Sequence, residues 1–457
     1  MTIDAPLDAP PVSAAVNSLL TSPILPTLLM LALPNTIAMF GSTLVAVAET
    51  SYIGRLGTEP LAAIALVFPF VMLTQMMSAG AMGGGVSSAI SRAIGAGDRG
   101  RAASLALHAV MIGACAGLFF TAVMLLFGRQ FFGLLGGRGH VLDEAQNYSV
   151  VLFSGAIAIW LVNTLASVLR GTGDMRLPSV TLIVAALIQI VVGGTLGLGL
   201  FGVPQFGMRG VAAGQLVAFS CGAIFLAWYL ISGRSRLTLN FKTFAFQRGM
   251  FIDILKVGAI SCLSPLQSVL TIMIFTKILA GFGTETLAGY GIGSRLEFLL
   301  TPIAFAFGVA SVPMVGIAIG AGDVARARRV AWTAAAAAGL TVGLVGLVVA
   351  IEPALWVSLF TRDPGVTAAA NSYFAWAGPT FVFFGIGACL YFASQGAAKV
   401  VGPVLAYTAR LSMVAIGGWW LASVAAPVWT LFALVGAAMI VLGLGTAASV
   451  GLARWGK

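Results

Sequence analysis

The chain has 457 residues and a formal net charge of +10, and 59% of its residues are hydrophobic whereas only 8% are charged. A soluble protein carries about 25% charged residues, because its surface has to be solvated. The composition therefore excludes a soluble enzyme and indicates a membrane protein. The 24 Lys and Arg residues lie singly or in short groups between apolar runs and form no basic stripe, so we expect no nucleic-acid partner.

Apolar runs long enough to cross a bilayer, which takes about 20 residues in a helix, follow one another along the whole chain. Twelve spans are predicted, near residues 26–52, 60–90, 103–127, 146–169, 177–202, 207–231, 250–280, 286–319, 325–350, 366–394, 400–423 and 427–453. Several are longer than a perpendicular helix needs, which predicts tilted or bent helices. The prolines inside them, where a helix can bend, are Pro34, Pro69, Pro265, Pro302 and Pro313.

The loops between these spans differ in their content of Lys and Arg. Fifteen of these residues fall in the even-numbered loops and the C-terminal tail, whereas six fall in the odd-numbered loops. Because cytoplasmic loops are enriched in Lys and Arg, both termini are predicted to be cytoplasmic. The bias towards Ala, Gly and Arg indicates a bacterial gene, so we expect a multi-pass protein of the plasma membrane, which is the inner membrane in a Gram-negative bacterium.

The sequence repeats itself after 225 or 226 residues. Gly57-Thr58-Glu59 is matched by Gly283-Thr284-Glu285, and the segment Ile-Gly-Ala-Gly-Asp at 94–98 is repeated at 319–323. Further on, the pair Gly171 and Pro178 is matched by Gly396 and Pro403. Because this register is held over more than a hundred residues, we interpret the chain as two homologous halves.

Each half contains six predicted spans, an even number, so both halves enter the membrane from the same side. The predicted domains are a cytoplasmic N-terminal tail at 1–25, an N-lobe of spans one to six at 26–232, a cytoplasmic linker at 233–249, and a C-lobe of spans seven to twelve at 250–457. The predicted fold class is an all-α membrane protein with twelve transmembrane helices in two parallel six-helix lobes. Two such repeats are typical of secondary transporters that work by alternating access.

One segment of the first half, Gly95 to Gly100, fits the dinucleotide-binding pattern GxGxxG. No strand is predicted before it, and its repeat has Ala325 in place of the third glycine, so we reject cofactor binding. We predict instead a tight turn in which glycine ends one helix and Asp98 caps the next. We expect no cofactor and no enzymatic activity.

Three groups of residues make the chain similar to the multidrug and toxic compound extrusion (MATE) family. They are Glu49 to Gly57 at the end of span one, the two Gly-Ala-Gly-Asp loops, and Leu169 to Asp174 followed by Pro178. The resemblance covers nearly the whole chain, from about Leu25 to the last span. It implies export of organic compounds, often cationic and aromatic, in exchange for protons or sodium.

Ionisable residues inside spans are candidates for ion coupling, because a charge there costs about 2.5 kcal/mol or more. Glu49 matches the family's first-span aspartate. The family's network also has an asparagine in span four, which Asn163 matches, and an asparagine in span five, which Gln189 replaces. Gly193 stands where a second aspartate is expected, which favours protons over sodium as the coupling ion. Glu297 in span eight is the carboxylate of the second half.

Other interpretations of these residues stay open. Glu49 could pair with Arg55 at the outer end of its span, Asn163 and Gln189 could only join helices by hydrogen bonds, and Glu297 could belong to a structural ion pair. Residues two apart on a helix do not face each other, so Arg295 and Glu297 are not expected to pair.

Flexible, aromatic and polar side chains inside the spans are candidates for contact with the substrate, since methionine adapts its packing to varied ligands. This predicted substrate-binding set is Met72, Met76, Gln267, Arg295, Phe298, Phe305, Tyr373 and Tyr391. The expected partners are small-molecule drugs or metabolites and membrane lipid, and we expect a monomer. A sodium-coupled exporter and a flippase for a lipid or lipid-linked glycan are the alternative functions.

Overall fold

The computed structural model of the chain describes residues 18–239 and 245–456. In these two ranges the chain is helical and forms no strand, and the predicted all-α membrane fold is confirmed. Most of the predicted N-terminal tail and part of the predicted linker, at 1–17 and 240–244, lie outside the described residues.

The first half of the chain provides six spans. Their helices are Ile24–Leu56 for span one; Thr58–Gln75, Met76–Met82 and Gly83–Gly95 for span two; Arg99–Leu134 for span three; Gly139–Ser154 and Ala156–Gly171 for span four; Arg176–Leu198 for span five; and Gly207–Ile231 for span six. A short 3₁₀ turn, Leu200–Gly202, follows span five.

The second half of the chain provides six more spans. Their helices are Arg248–Ser261 and Leu263–Ala280 for span seven; Thr284–Gly320 for span eight; Val324–Ile351 for span nine; Pro364–Ala377, Gly378–Thr380 and Phe381–Gly396 for span ten; Val401–Ser412, Met413–Gly417 and Gly418–Ser423 for span eleven; and Val428–Leu452 for span twelve. A single turn, Ala354–Val357, follows span nine. Among the described residues, eleven helical segments are long and apolar enough to cross a membrane, and span four makes twelve as a bent pair.

The bend in span four was not predicted, since the sequence indicated one span near 146–169. Its two helices meet at Gly155 at an angle of 48°. A Cβ at Gly155 would lie 1.9 Å from Cδ1 of Leu216 in span six, so the space beside the break is filled by that leucine. Glycine is the residue that permits this close approach at the bend.

The predicted Gly-Ala-Gly-Asp turns are confirmed. Gly97 and Gly322 have φ of 78° and 81°, a left-handed conformation that glycine adopts without strain. Asp98 Oδ1 accepts a hydrogen bond of 2.8 Å from the backbone N–H of Arg101, and Asp323 Oδ1 accepts one of 2.8 Å from that of Arg326. The two aspartates thus cap spans three and nine.

The described residues form two compact units. Unit one consists of Leu33–Gly258 with the described residues up to Thr21, and unit two consists of Ser22–Ala32 with the described residues from Ala259 onward. The core of unit two is built from apolar side chains of spans seven to twelve, among them Phe275, Leu300 and Phe432. In unit one, spans five and six approach so closely that a Cβ at Gly214 would lie 2.4 Å from Cα of Gly193.

Candidate functional site

In unit one, the carboxylate of Glu49 on span one meets the side chain of Gln189 on span five. Gln189 Nε2 donates a hydrogen bond of 2.7 Å to Glu49 Oε1. Gln189 is 7% exposed and Glu49 is partly buried. The ion pairs of the described residues do not include Glu49, and Arg55 is exposed. The partner of Glu49 is therefore a neutral amide.

Aromatic residues surround this pair. Tyr148 on span four is 1% exposed, interacts electrostatically with Glu49, and donates a hydrogen bond of 3.2 Å to Gln215 Oε1 on span six. Tyr52 lies against span five at Gly194, where a Cβ would be 3.0 Å from its ring. Sequence reasoning missed Tyr148 and Gln215; the glutamine inside an apolar run was a detectable signal, whereas the tyrosine was not.

The absence of a side chain at Gly193 has a structural reason. The backbones of spans five and six touch there, at Gly193 and Gly214. Because glycine lets two helices come this close, the position that the resemblance assigns to an aspartate is used for packing. The hydrogen bond to the Glu49 carboxylate in the described part of the chain then comes from the neutral Gln189 amide.

The structure places Asn163 in a separate polar cluster. Its Nδ2 donates to Gln75 Oε1 at 3.0 Å and to Ser78 Oγ at 2.9 Å, both on span two. Span two is a π-helix from Met76 to Met82 at this point, a distortion often found at functional sites. The predicted Met72 and Met76 flank Gln75 and are partly buried. Gln75 and Ser78 were missed, although a glutamine in an apolar run is a detectable signal.

In unit two, Glu297 on span eight accepts a hydrogen bond from the hydroxyl group of Tyr373 on span ten. Tyr373 is fully buried, and its ring meets those of Tyr290 and Phe432 edge to face, at centroid distances of 5.6 and 5.5 Å. One turn before Glu297, a Cβ at Gly293 would lie 2.2 Å from Cδ1 of Tyr373. Gly293 therefore makes the space in which the tyrosine ring lies.

Two arginines of unit two have different surroundings. Arg295 is exposed, and its guanidinium lies 5.3 Å from the ring centre of Phe360. Arg410 on span eleven is 7% exposed and interacts electrostatically with Glu297 and Tyr373. Glu297 thus interacts with a buried cation, whereas the hydrogen-bond partner of Glu49 is a neutral amide.

The remaining predicted substrate residues lie apart from one another in unit two. Gln267 Nε2 donates a hydrogen bond of 2.7 Å to Thr408 Oγ1. Tyr391 donates one of 2.9 Å to the carbonyl oxygen of Ser261. Phe305 packs edge to face on Phe392 at 4.9 Å, and Phe298 is 41% exposed. Among the predicted aromatic residues, all of which lie in the described part of the chain, only Tyr373 donates a hydrogen bond to a predicted coupling residue, Glu297.

The repeat does not reproduce the Glu49 cluster. With the offset of the neighbouring motifs, Glu49 corresponds to Phe275 and Gln189 to Val414. Both counterparts are at most 2% exposed and belong to the apolar core of unit two. The carboxylate of the second half, Glu297, comes from a different span.

Membrane-length helices in two repeated halves, each with a carboxylate held between spans, define a polytopic transporter and not an enzyme. Comparison with known families agrees with this class: the family model described as MatE matches residues 34–195 and 261–421. The chain belongs to the MatE family.

Two relatives illustrate the range of proteins that the chain resembles. The "FAD transporter" of Shewanella oneidensis is 27% identical over 359 residues, which are 78% of this chain and 79% of that protein. The "Probable multidrug resistance protein NorM" of Thermotoga maritima is 26% identical over 393 residues, which are 84% of this chain and 83% of that protein.

Solved structures share the fold. A MOP superfamily transporter from Pyrococcus furiosus Vc1 superposes with a TM-score of 0.83 at 24% identity and covers 95% of both chains. An outward-facing multidrug resistance MATE family transporter gives a TM-score of 0.83 at 24% identity, and covers 95% of this chain and 97% of that one.

Proposed function

We propose that this transporter exports organic compounds, cationic or aromatic in character, in exchange for protons by alternating access. The observation that carries the proposal is the Glu49 carboxylate, which is hydrogen-bonded to the neutral amide of Gln189. The multidrug resistance relative supports export of drug-like compounds. The chemistry of this site supports the proton as the coupling ion and an organic cation as the substrate.

The Glu49 carboxylate can be neutralised in two ways. A proton binds to the oxygen, or an organic cation lies beside it. Because each of these removes the negative charge that attracts the other, proton and substrate bind alternately, which is the requirement for antiport. A proton that moves down 100 mV releases about 2.3 kcal/mol, enough to sustain a concentration ratio of roughly fiftyfold for a neutral solute.

Sodium is the alternative coupling ion. Sodium prefers several oxygen ligands, and the cluster near Glu49 offers one carboxylate, with Gly193 where the resemblance implies a second acid. This favours the proton. Glu297 is the second candidate for coupling, and it ranks below Glu49 because the cation Arg410 interacts with it electrostatically.

A second class of substrate is favoured by the Shewanella relative. FAD is an aromatic anion, and unit two offers the exposed cation Arg295. Flippase activity on a lipid or lipid-linked glycan is the further alternative, and the small number of basic residues inside the spans argues against it.

The location and assembly of the protein are part of the proposal. The excess of Lys and Arg in even-numbered loops supports cytoplasmic termini in a plasma membrane, which is the inner membrane if the source is Gram-negative. Large apolar side chains exposed on the helices support contact with lipid, for example Leu33 at 61% and Leu44 at 66%. We propose a monomer.

The test uses purified protein in liposomes that contain a pH-sensitive dye, with ethidium or FAD added outside, in the presence or absence of sodium. Wild type is compared with Glu49→Gln and Glu297→Gln. The matched control is Glu59→Gln, because Glu59 is exposed in the first turn of span two, beside His140. We expect ethidium to cause proton movement without sodium in wild type and in Glu59→Gln, and none in Glu49→Gln.

Other outcomes correct specific parts of the proposal. Proton movement that survives in Glu49→Gln and is lost in Glu297→Gln places the coupling in the second half. If proton movement or transport requires sodium, sodium and not the proton is the coupling ion. If only FAD gives a response, the substrates are aromatic anions and not cations. If no compound causes proton or sodium movement, the drug exporter is rejected and lipid flipping becomes the function to test.

A further inference from the structure

The cytoplasmic ends of spans one and seven are exchanged between the two units. Residues Ser22–Ala32, which lead into span one, belong to unit two, whereas span seven belongs to unit one as far as Gly258. The boundaries after Ala32 and after Gly258 are 226 residues apart, the same offset that relates Gly57 to Gly283. The exchange is therefore a property of the repeat, present at the matching position of both halves.

The exchanged end of span seven is held in unit one by two ion pairs with a single carboxylate. Arg92 Nη2 at the end of span two lies 2.7 Å from Asp253 Oδ1, and Arg101 Nη2 at the start of span three lies 2.9 Å from Asp253 Oδ2. Arg92 Nη1 also donates to Ser88 Oγ at 2.7 Å. The side chains of Arg92 and Asp253 are 16% and 25% exposed, so water screens this interaction less than an ion pair on an open surface.

Packing continues the attachment along the same segment. A Cβ at Gly85 on span two would lie 2.7 Å from the backbone nitrogen of Gly258, so the two backbones touch. Ile254 and Val257 are at most 1% exposed. At the start of the helix, the backbone N–H of Gln247 donates to His108 Nε2 at 2.8 Å. The start of span seven is thus closely packed against spans two and three of unit one.

The matching contact in unit two uses the corresponding arginine. Arg326 is the repeat counterpart of Arg101, and each stands three residues after the aspartate that caps its helix. Arg326 Nη2 donates to the carbonyl oxygen of Ser22 at 2.6 Å. Both halves thus bind the exchanged segment through an arginine at this position, Arg101 to the carboxylate of Asp253 and Arg326 to a backbone carbonyl.

We propose that Asp253, Arg92 and Arg101 form a latch that holds the cytoplasmic end of span seven on unit one, and that the latch must open during the transport cycle. The inference rests on the proposed alternating access, since a helix shared by two moving units has to bend or detach at the boundary. Span seven consists of two helices, Arg248–Ser261 and Leu263–Ala280, and the first ends three residues beyond Gly258. The strength of the latch then sets the populations of the two conformations.

The test measures how often the segment detaches. The reporter is Val257→Cys. Val257 is 1% exposed, so a cysteine there reacts with a maleimide only when the start of span seven detaches from the rest of unit one. It is placed in full-length protein, purified in lipid nanodiscs, in which all native cysteines are replaced by alanine. These native cysteines are Cys115, Cys221, Cys262 and Cys389.

Asp253→Asn is expected to raise the labelling rate about tenfold, because both ion pairs are lost and two arginines are left facing each other. Asp253→Glu, which keeps the charge, is expected to stay within about twofold of the parent. The control Asp143→Asn removes an exposed ion pair with Arg129, also 2.9 Å long, and is expected to leave the rate unchanged. Arg101→Gln keeps the ion pair between Arg92 and Asp253 and is expected to give an intermediate labelling rate. This variant replaces Asp253→Asn in the test if Asp253→Asn does not fold.

Equal labelling rates in Asp253→Asn, Arg101→Gln and Asp143→Asn would overturn the latch. A faster labelling rate combined with an unchanged rate of ethidium transport would show that detachment is not part of the cycle. Because labelling needs no substrate, failure of the drug-exporter proposal leaves this readout intact, and the two proposals can fail separately.

Discussion

Gly293 sets the geometry at Glu297, and Gly293→Ala is the perturbation that tests this. The added Cβ would lie 2.2 Å from Cδ1 and 2.4 Å from Cε1 of Tyr373, far inside van der Waals contact, so the ring has to move by more than 1 Å. Overpacking of this kind costs about 1–3 kcal/mol, and loss of the hydrogen bond to the carboxylate costs about 1.5–3 kcal/mol. Alanine has a higher helix propensity than glycine, which offsets about 1 kcal/mol of this cost. The net destabilisation is therefore about 1.5–5 kcal/mol.

The assay is thermal unfolding of purified protein, followed by the monomer peak that survives heating, with drug-dependent proton movement as a second readout. Gly291→Ala is the matched control, because a Cβ at Gly291 in the same helix meets no atom within 4 Å. We expect Gly291→Ala to unfold at or slightly above the wild-type temperature and Gly293→Ala to unfold several degrees below it. Combining Gly293→Ala with Tyr373→Ala should remove most of the added cost, since the clash then has no partner. Equal unfolding temperatures for the two alanine variants would refute the assignment of Gly293 as the residue that makes room for Tyr373.

Three further predictions follow from the caps and polar clusters. Asp98→Ala and Asp323→Ala should each lower the free energy of unfolding by about 1 kcal/mol through loss of an N-cap, measured by thermal unfolding; no change in either would mean that the capping bond is not formed. Asn163→Leu should cost about 1–3 kcal/mol, because the buried acceptors on Gln75 and Ser78 lose their donor, and an unchanged stability would contradict that cluster. In a double-mutant cycle, the destabilising effects of Asn163→Leu and Gln189→Leu should be additive within about 0.5 kcal/mol, because the two residues share no hydrogen-bond partner. A larger coupling energy would show that they belong to one network.

The spans and the turns could be predicted because their causes are local in sequence. The length of an apolar run determines whether a helix can cross a bilayer, and the Gly-Ala-Gly-Asp loops contain both the glycine for the turn and the aspartate for the cap. The break at Gly155 was missed because the side chain that packs against it, Leu216, lies 61 positions further along the chain. Glycine is frequent in membrane helices, so a single glycine did not indicate a bend.

The residues of the candidate site were predicted more completely than the pairs that they form. Inside a span an acid is conspicuous, and Glu49 and Glu297 were selected for that reason. The donors to them, Gln189 and Tyr373, lie 140 and 76 positions away, and no periodicity within one helix relates such pairs. Asn163 was expected in the Glu49 network and instead donates to span two, because which face of span four meets which neighbour is decided by tertiary packing.

The exchanged ends of spans one and seven have a consequence for biosynthesis. In unit one, Met82, Gly85, Arg92 and Arg101 lack the part of span seven that contacts them until the chain has been synthesised as far as Gly258. The first half therefore cannot finish folding as an autonomous domain when its six spans have been inserted, and it has to wait for the start of the second. A gene cut between the halves would yield two fragments that each lack a piece carried by the other, so their stability in the membrane would depend on co-expression.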